Sequence, residues 1–294
     1  MSIAIIANPL AGRGRGAKTA LLAEQILTDQ AVDFQLIYTN YEGHAIELAS
    51  KASRNHEIVV ALGGDGTIRE VLTGTWESKA TLGIIPGGTG NDYARGLSIS
   101  RQTASAIDVL LCGNAVDFDI GLEDDRVFGV LASIGFPVDV IEYVNHQRDG
   151  FLKGKPAFLA AVAATVRNLK SFPVRINIDG QIIEKTVIGL FVMNMPFGGG
   201  GMKFTPDAFY GDGFFNLLIV EDVTRTDLAL TLPKIYSGKH IGHPAVTILT
   251  GREILVESDP HPIMLDGDIF PARPVHTKIL PKATKVLVAK TPVH

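Results

Sequence analysis

The stretch EIVVALGGDGTIREVLTG, residues 57–74, runs from an apolar segment through three glycines and an aspartate into a helical pattern. EIVVAL reads as a strand buried on both faces, because its Val, Ile and Leu residues do not alternate with polar ones. TIREVLTG carries a helical spacing. Between them, Gly63, Gly64, Asp65, Gly66 and Thr67 form a turn where a ligand can approach the backbone closely, with the first free N–H groups of the helix pointing at it. The positive end of the helix dipole favours an anion such as a pyrophosphate there. Asp65 would repel that anion unless a cation sits between them, which points to Mg²⁺. The same aspartate also reads as an ordinary helix N-cap in a tight turn.

The next stretch of this kind, IIPGGTGNDYARGL (84–97), repeats the device: apolar strand, glycine turn with Thr89, then Asn91 and Asp92 at a helix start. In a parallel sheet two such turns lie at one carboxyl edge, so Asp65 and Asp92 could approach one cation or one hydroxyl. Asn91 and Asp92 also read as plain caps. The first third of the chain supports that sheet. IAIIA (3–7), DFQLIYT (33–39), EIVVAL and TLGIIP (81–86) read as strands, with TALLAEQIL (19–27) and HAIELASKA (44–52) as helices between them.

Near residue 115 the pattern changes. AVDFDIGLEDDRVFGVLASIG holds two β-rich runs around the acidic turn EDD, and further strands follow at short spacing as far as TKVLVAK. One helical stretch, PAFLAAVAATVRNLK (156–170), interrupts them. The expected organisation is an N-terminal α/β nucleotide-binding domain over 1–115 with a mostly parallel sheet. A mainly antiparallel β-sandwich domain over 116–294 follows it, and the site lies in the cleft between the two.

The opening segment NPLAGRGRGAKTA (8–20) looks like a phosphate loop, but Ala17 stands where a Walker A loop has its second glycine. The same residue breaks the dinucleotide fingerprint. Two readings stay open: a basic loop beside an anion, carried by Arg13, Arg15 and Lys18, or a solvated strand-to-helix turn.

Composition narrows the partners. A net charge of −4 over 294 residues argues against nucleic acid. The single cysteine, Cys112, excludes an intramolecular disulfide and fits a reducing cytoplasm. The first apolar run is too short for a signal peptide, and FLAAVAATV (158–166) is far shorter than a membrane span, so a cytoplasmic protein is expected. A transient visit to a membrane surface is compatible with this. His240 and His243 lack the third ligand of a zinc set and read as a surface loop.

GGDGTIREV, PGGTGNDYAR and the opening Asn-Pro-x-x-Gly resemble the diacylglycerol-kinase catalytic-domain family, which includes soluble bacterial lipid kinases and the sphingosine and ceramide kinases. The resemblance continues through VDFDIG (116–121), GGGGMKFTPDAFYGDGFFNLLIV (198–220) and MLDGDIFP (264–271). It implies an ATP- and Mg²⁺-dependent kinase acting on a lipid hydroxyl at the membrane surface, with a homodimer common among such relatives. It also implies that the GGDGT turn, Gly63 to Thr67, replaces the P-loop, with Asn8, Thr39 and Thr89 near the nucleotide. Asp268 matches the family's catalytic base, although the family has glutamate there and aspartate is one methylene shorter. The bare sequence also reads Asp266-Gly267-Asp268 as a hairpin turn. Asp65 and Asp92, joined by Asp119 and Asp266, are expected to hold the catalytic Mg²⁺. Asp212, with the carbonyls of Phe209 and Phe214, matches a second Mg²⁺ site, which otherwise reads as an exposed turn. Arg13, Arg15, Lys18, Lys153 and Lys155 are candidates to neutralise phosphate. FLAAVAATV and the apolar faces of the second domain are candidates to hold acyl chains. NAD kinases and phosphofructokinases share the GGDG turn, so a kinase of a soluble acceptor is the nearest alternative. A catalytically silent lipid- or nucleotide-binding protein is the other.

Overall fold

The computed structural model describes residues 2–146 and 164–290. Four strands, β1 (Ile3–Ala7), β2 (Phe34–Tyr38), β3 (Ile58–Gly63) and β4 (Thr81–Pro86), pair in parallel in the order β2-β1-β3-β4. Every residue of β1 and β3 is buried, as continuous apolar runs in a covered parallel sheet require. The helices are α1 (Ala11–Asp29), α2 (His44–Ala52), α3 (Asp65–Thr75), the short α4 (Asp92–Gly96) and α5 (Thr103–Cys112). Each βα turn ends at the same sheet edge, which brings residues 8–16, 63–67 and 86–92 together.

The second unit contains β5 (Asn114–Glu123), β6 (Arg126–Phe128), β7 (Leu131–Gly135), α6 (Phe136–His146), β8 (Phe172–Ile178) and β9 (Gln181–Met193). A small ribbon, β10 (Phe197–Gly198) with β11 (Met202–Lys203), precedes β12 (Phe215–Glu221) and α7 (Arg225–Thr231). Two 3₁₀ turns, Leu232–Ser237 and Lys239–Gly242, lead into β13 (Val246–Gly251), β14 (Glu253–Glu257), β15 (Ile263–Leu265), β16 (Asp268–Phe270) and β17 (Val275–Val288). These strands pair antiparallel, in the order β16-β15-β7-β9-β8-β14-β17, with β12 and β13 beyond β9. The fold is therefore the expected one, an α/β unit followed by an antiparallel β unit.

Residue alternation divides the β unit into two apolar environments. Along β9, Leu190 and Val192 enter the sandwich core with Leu217 and Ile219 of β12. Phe191 and Leu218 point the other way, into the cluster continuous with the α/β unit. A period of two places these neighbours on opposite faces.

Three expectations change in detail. The expected boundary at 115/116 falls inside β5, and β17 pairs both antiparallel with β5 and in parallel with β4, so the last long strand ties the two units into one continuous sheet. Of the helix expected over 156–170, the part up to 163 lies outside the described residues, 164–166 are helical as expected, and the chain has left helical geometry by Arg167. His240 is buried rather than on a surface loop: a ring nitrogen lies 2.9 Å from the Phe204 carbonyl oxygen. His243 Nδ1 accepts from the Ala245 N–H. Among the described residues no cluster of His, Cys, Asp and Glu forms a set of three or more metal ligands.

Candidate active site

Two glycine turns meet at the edge of the parallel sheet. The Gly63 carbonyl accepts the Gly87 N–H at 2.7 Å, and a Cβ placed on Gly88 would lie 2.4 Å from Gly64 Cα. Backbone packed on backbone at this distance admits only glycine. Gly88→Ala is therefore expected to cost about 1–3 kcal/mol of stability, as overpacking does, visible as a lower urea midpoint at unchanged slope. Asn91, with φ 54°, holds the second turn by accepting the Gly88 N–H and donating back to the Gly88 carbonyl.

The opening segment lies against these turns. Asn8 accepts the Leu10 N–H and donates to Thr67 Oγ1 at 3.1 Å, tying the end of β1 to the first turn of α3. Gly12 to Gly14 have left-handed dihedrals, so α1 begins with a coiled loop before its regular turns. Arg15 reaches the Gly88 carbonyl at 2.8 Å and Thr89 Oγ1 at 3.4 Å. The buried Thr39 is held beside this edge by its N–H bond to the Ala7 carbonyl. Arg13 and Lys18 are exposed.

Asp65 does not cap its own helix; Gly64 occupies that position with no side-chain bond. Its carboxylate instead accepts the Tyr93 N–H at 3.2 Å, reaching the first turn of α4 from across the cleft. Asp92 in turn accepts the N–H groups of Gly200 and Gly201, each at 2.8 Å, which fixes the glycine run of the β unit to the α/β unit. Burial, and then the neighbouring Asp92 charge, push the Asp65 carboxyl up to about 7. Burial raises Asp92 as well, against the pull of its two glycine donors. Two mutually repelling carboxylates at a helix N-terminus, Asp92 buried and Asp65 partly buried, form a donor set that a hard divalent cation would relieve.

Asp268 faces this cleft from β16. Asp266 and Gly267, with φ of 50° and 103°, make the two-residue turn between β15 and β16. Asp-Gly is here a hairpin turn, and the Asp268 carboxylate follows it directly. Arg69, one helical turn after Asp65 on α3, donates to Asp268 Oδ2 through Nε at 3.1 Å and through Nη2. The Arg69 side chain is 13% exposed and that of Asp268 is 42% exposed, so the carboxylate is reachable from solvent.

Beyond Asp266 and the glycine run lies an apolar cavity of about 110 Å³. Phe136, Val140, Phe191, Leu218, Leu232 and Met264 line it, and Thr231 and His240 supply its few polar atoms. Gly199 and Leu131 also line it: the first adjoins the Gly200 that bonds Asp92, and the second donates its N–H to Asp266. The cavity thus ends against the acidic cleft.

Residues 2–122 match the diacylglycerol kinase catalytic domain, and residues 130–288 match the YegS C-terminal NAD kinase beta sandwich-like domain. A diacylglycerol kinase of Staphylococcus carnosus is 30% identical over 90% of this chain and 87% of its own length. The chain belongs to the diacylglycerol kinase family. A diacylglycerol kinase of Mycobacterium tuberculosis is 28% identical over 97% of this chain and 94% of its own. The fold agrees with a solved diacylglycerol kinase from Bacillus anthracis, with a TM-score of 0.76 at 21% identity over 99% of this chain and 97% of that one. The protein is a kinase of this family, and among its described residues no helix is long and apolar enough to cross a membrane.

Within this diacylglycerol kinase fold the expected site residues separate into two groups. Asn8, Thr39, Gly63 to Thr67, Thr89, Asp65 and Asp92 converge at the sheet edge, with Asp268 across the cleft. Asp266 and Asp119 are engaged by hydrogen-bond donors of the fold. Asp266 is partly buried and accepts Tyr93 OH at 2.5 Å and the N–H groups of Gly129, Val130 and Leu131. Four donors fill the lone-pair sites of a carboxylate. Burial raises its carboxyl against those donors, and Tyr93 beside it is held well above its ordinary value, first by burial. Asp119, fully buried, accepts the Gly213 and Lys282 N–H groups at 2.7 and 2.6 Å. It anchors the Asp-Gly turn and the irregularity in β17 instead of facing Asp65. Asp212 accepts the N–H of Phe214, and Phe209 is half exposed beside Tyr210, so this turn offers one carboxylate together with backbone carbonyls. Lys153 and Lys155 lie outside the described residues. Sequence reading missed Arg69, Tyr93 and Asn194. The last donates to the carbonyls of Asp119 and Gly129 and so braces both aspartate anchors.

Proposed function

We propose that this kinase transfers the γ-phosphoryl group of ATP to the hydroxyl of a diacylglycerol-like lipid, assisted by Mg²⁺. The observation that carries the lipid acceptor is the apolar cavity that ends at the acidic cleft. An acyl chain held there escapes a cost of about 0.8 kcal/mol for each methylene left in water. A nucleotide or sugar acceptor would find almost no polar partner in it.

The residues suit the cofactors. The phosphates fit the glycine turns, where the uncapped first turn of α3 offers N–H groups and Arg15 lies close. Mg²⁺ would be held by Asp65 and Asp92 together with phosphate oxygens, and when bound it offsets the charge of the transferring group. Asp268 then accepts the proton of the lipid hydroxyl as that hydroxyl attacks. Arg69 acts as its positioning residue. Its planar fork restricts a carboxylate that would otherwise sample several rotamers, which offsets the shorter reach of aspartate.

The Asp65 carboxyl sets the sign of a pH effect. Its folded value, about 7, lies above the ordinary carboxyl value of 3.8, so the folded protein holds a proton that the unfolded chain releases. Stability without metal is therefore greatest below pH 4 in this contribution and falls as pH rises from about 4 to 7. Mg²⁺ is expected to raise the melting temperature at pH 8 and to have little effect at pH 5, where the proton occupies its place. Equal Mg²⁺ shifts at both pH values in thermal unfolding would remove Asp65 from the cation site.

The acceptor is tested by ATP turnover with glycerol, dihexanoylglycerol and dioleoylglycerol, with NAD alongside. The expected kcat/KM rises with chain length and is absent for glycerol and NAD. Turnover with NAD alone would leave only the nucleotide site standing.

A further inference from the structure

We propose that the outer face of residues 225–242 is the surface on which the protein docks to an anionic lipid bilayer. The inference rests on the lipid-acceptor reading above. The segment, α7 and the two 3₁₀ turns, is amphipathic in an unusual sense: both of its sides are apolar. Leu228, Leu232 and Ile235 turn inward and line the cavity. Leu230, Tyr236 and Ile241 are 66%, 40% and 42% exposed on the other side. Large apolar side chains grouped on one exposed segment mark a contact with another apolar phase.

Charge selects which phase. Between Arg225 and Gly242 the chain carries Arg225, Lys234 and Lys239 against the single acid Asp227, although the whole protein has a net charge of −4. Arg225, Lys234 and Lys239 are all exposed. Cations interleaved with exposed Leu, Tyr and Ile suit an interface of anionic headgroups over acyl chains, where each basic residue near the surface adds attraction. Short helical pieces with many unpaired backbone groups suit the headgroup region and not the hydrocarbon centre.

Continuity with the cavity supplies the reason for this placement. Inner residues of this segment form one wall of the cavity. If its outer face lies in the bilayer interface, an acceptor lipid can slide from the membrane into the cavity while its chains stay out of water. The hydroxyl then arrives at the cleft first, on the side of Gly199 and the Gly200 that bonds Asp92.

The test uses the full chain and co-sedimentation with vesicles of phosphatidylcholine, with or without phosphatidylglycerol. Binding is expected to the anionic vesicles and to weaken with salt. Leu230→Ser combined with Ile241→Ser should lower the partition coefficient at least about tenfold, since two apolar side chains no longer insert. Neither residue lines the cavity, so phosphorylation of monomeric dihexanoylglycerol should be unchanged. Lys234→Glu with Lys239→Glu should give a loss of about tenfold or more at low salt that shrinks at high salt. Wild-type partitioning by both double variants would overturn the proposal, as would dissociation of a dimer by the Ser variants, which would make this face a contact between copies. Vesicle binding that follows the variants, in a protein that phosphorylates no lipid, would uphold the docking surface and sink the lipid-kinase reading.

Discussion

Asp268→Asn is expected to lower kcat by about 10²- to 10⁴-fold while ATP affinity stays at the wild-type value. The amide keeps the shape of the carboxylate and can still accept from Arg69, but it cannot take the proton of an attacking hydroxyl. The loss belongs to the transition state, so kcat and kcat/KM should fall together. Arg69→Ala separates positioning from proton transfer. Without the guanidinium, Asp268 remains a hydrated carboxylate on a hairpin, and kcat should drop by a smaller factor, about tenfold, with the KM for ATP unchanged. Arg69→Lys should recover part of it, because one ammonium donor replaces the two of the fork. A purely structural Arg69 would instead lower the melting temperature and leave kcat intact. Steady-state kinetics of the three variants, with ATP binding measured by calorimetry, decides between these outcomes.

Asp266→Ala should produce the largest loss of stability. Three backbone N–H groups and the Tyr93 hydroxyl donate to this carboxylate in a partly buried setting, joining the β6–β7 turn, α4 and the β15–β16 hairpin. Removing the acceptor leaves these donors without partners, at about 1–3 kcal/mol each. The sum is comparable to the whole stability of an ordinary domain. The variant should unfold at far lower urea than wild type or fail to accumulate in soluble form. Tyr93→Phe removes one donor and should cost only about 1 kcal/mol. If Asp266→Ala were as stable as wild type and lost only its Mg²⁺ requirement, the residue would be a cation ligand after all.

These contrasts show what the sequence could and could not reveal. The glycine turns were legible because their requirement is local. A strand that ends in Gly-Gly before a helix leaves no room for side chains: Gly64 meets Gly88 backbone to backbone, and a Cβ on Gly63 would collide with Thr67. Asp65 and Asp92 were legible as a pair for the same reason, since parallel strands deliver both turns to one edge. Arg69 was not legible. In TIREV it is an ordinary helix residue, and its partner lies 199 positions away. Asp119 and Asp266 carry family-like motifs, yet their chemistry depends on which N–H groups surround them, and no spacing encodes that. The cavity was legible only as a general expectation. Its walls come from α6, β9, β12, α7 and β15, elements that meet through antiparallel pairing and not through any contiguous motif.

The decisive measurement is the fate of the γ-phosphate. ATP labelled at that position would be incubated with the purified protein, Mg²⁺ and dioleoylglycerol in mixed micelles, and the label followed into the organic phase. Label recovered as a lipid phosphomonoester, abolished in Asp268→Asn, is the expected result. Label that stays in water as inorganic phosphate or on a soluble acceptor would contradict a lipid hydroxyl as the nucleophile.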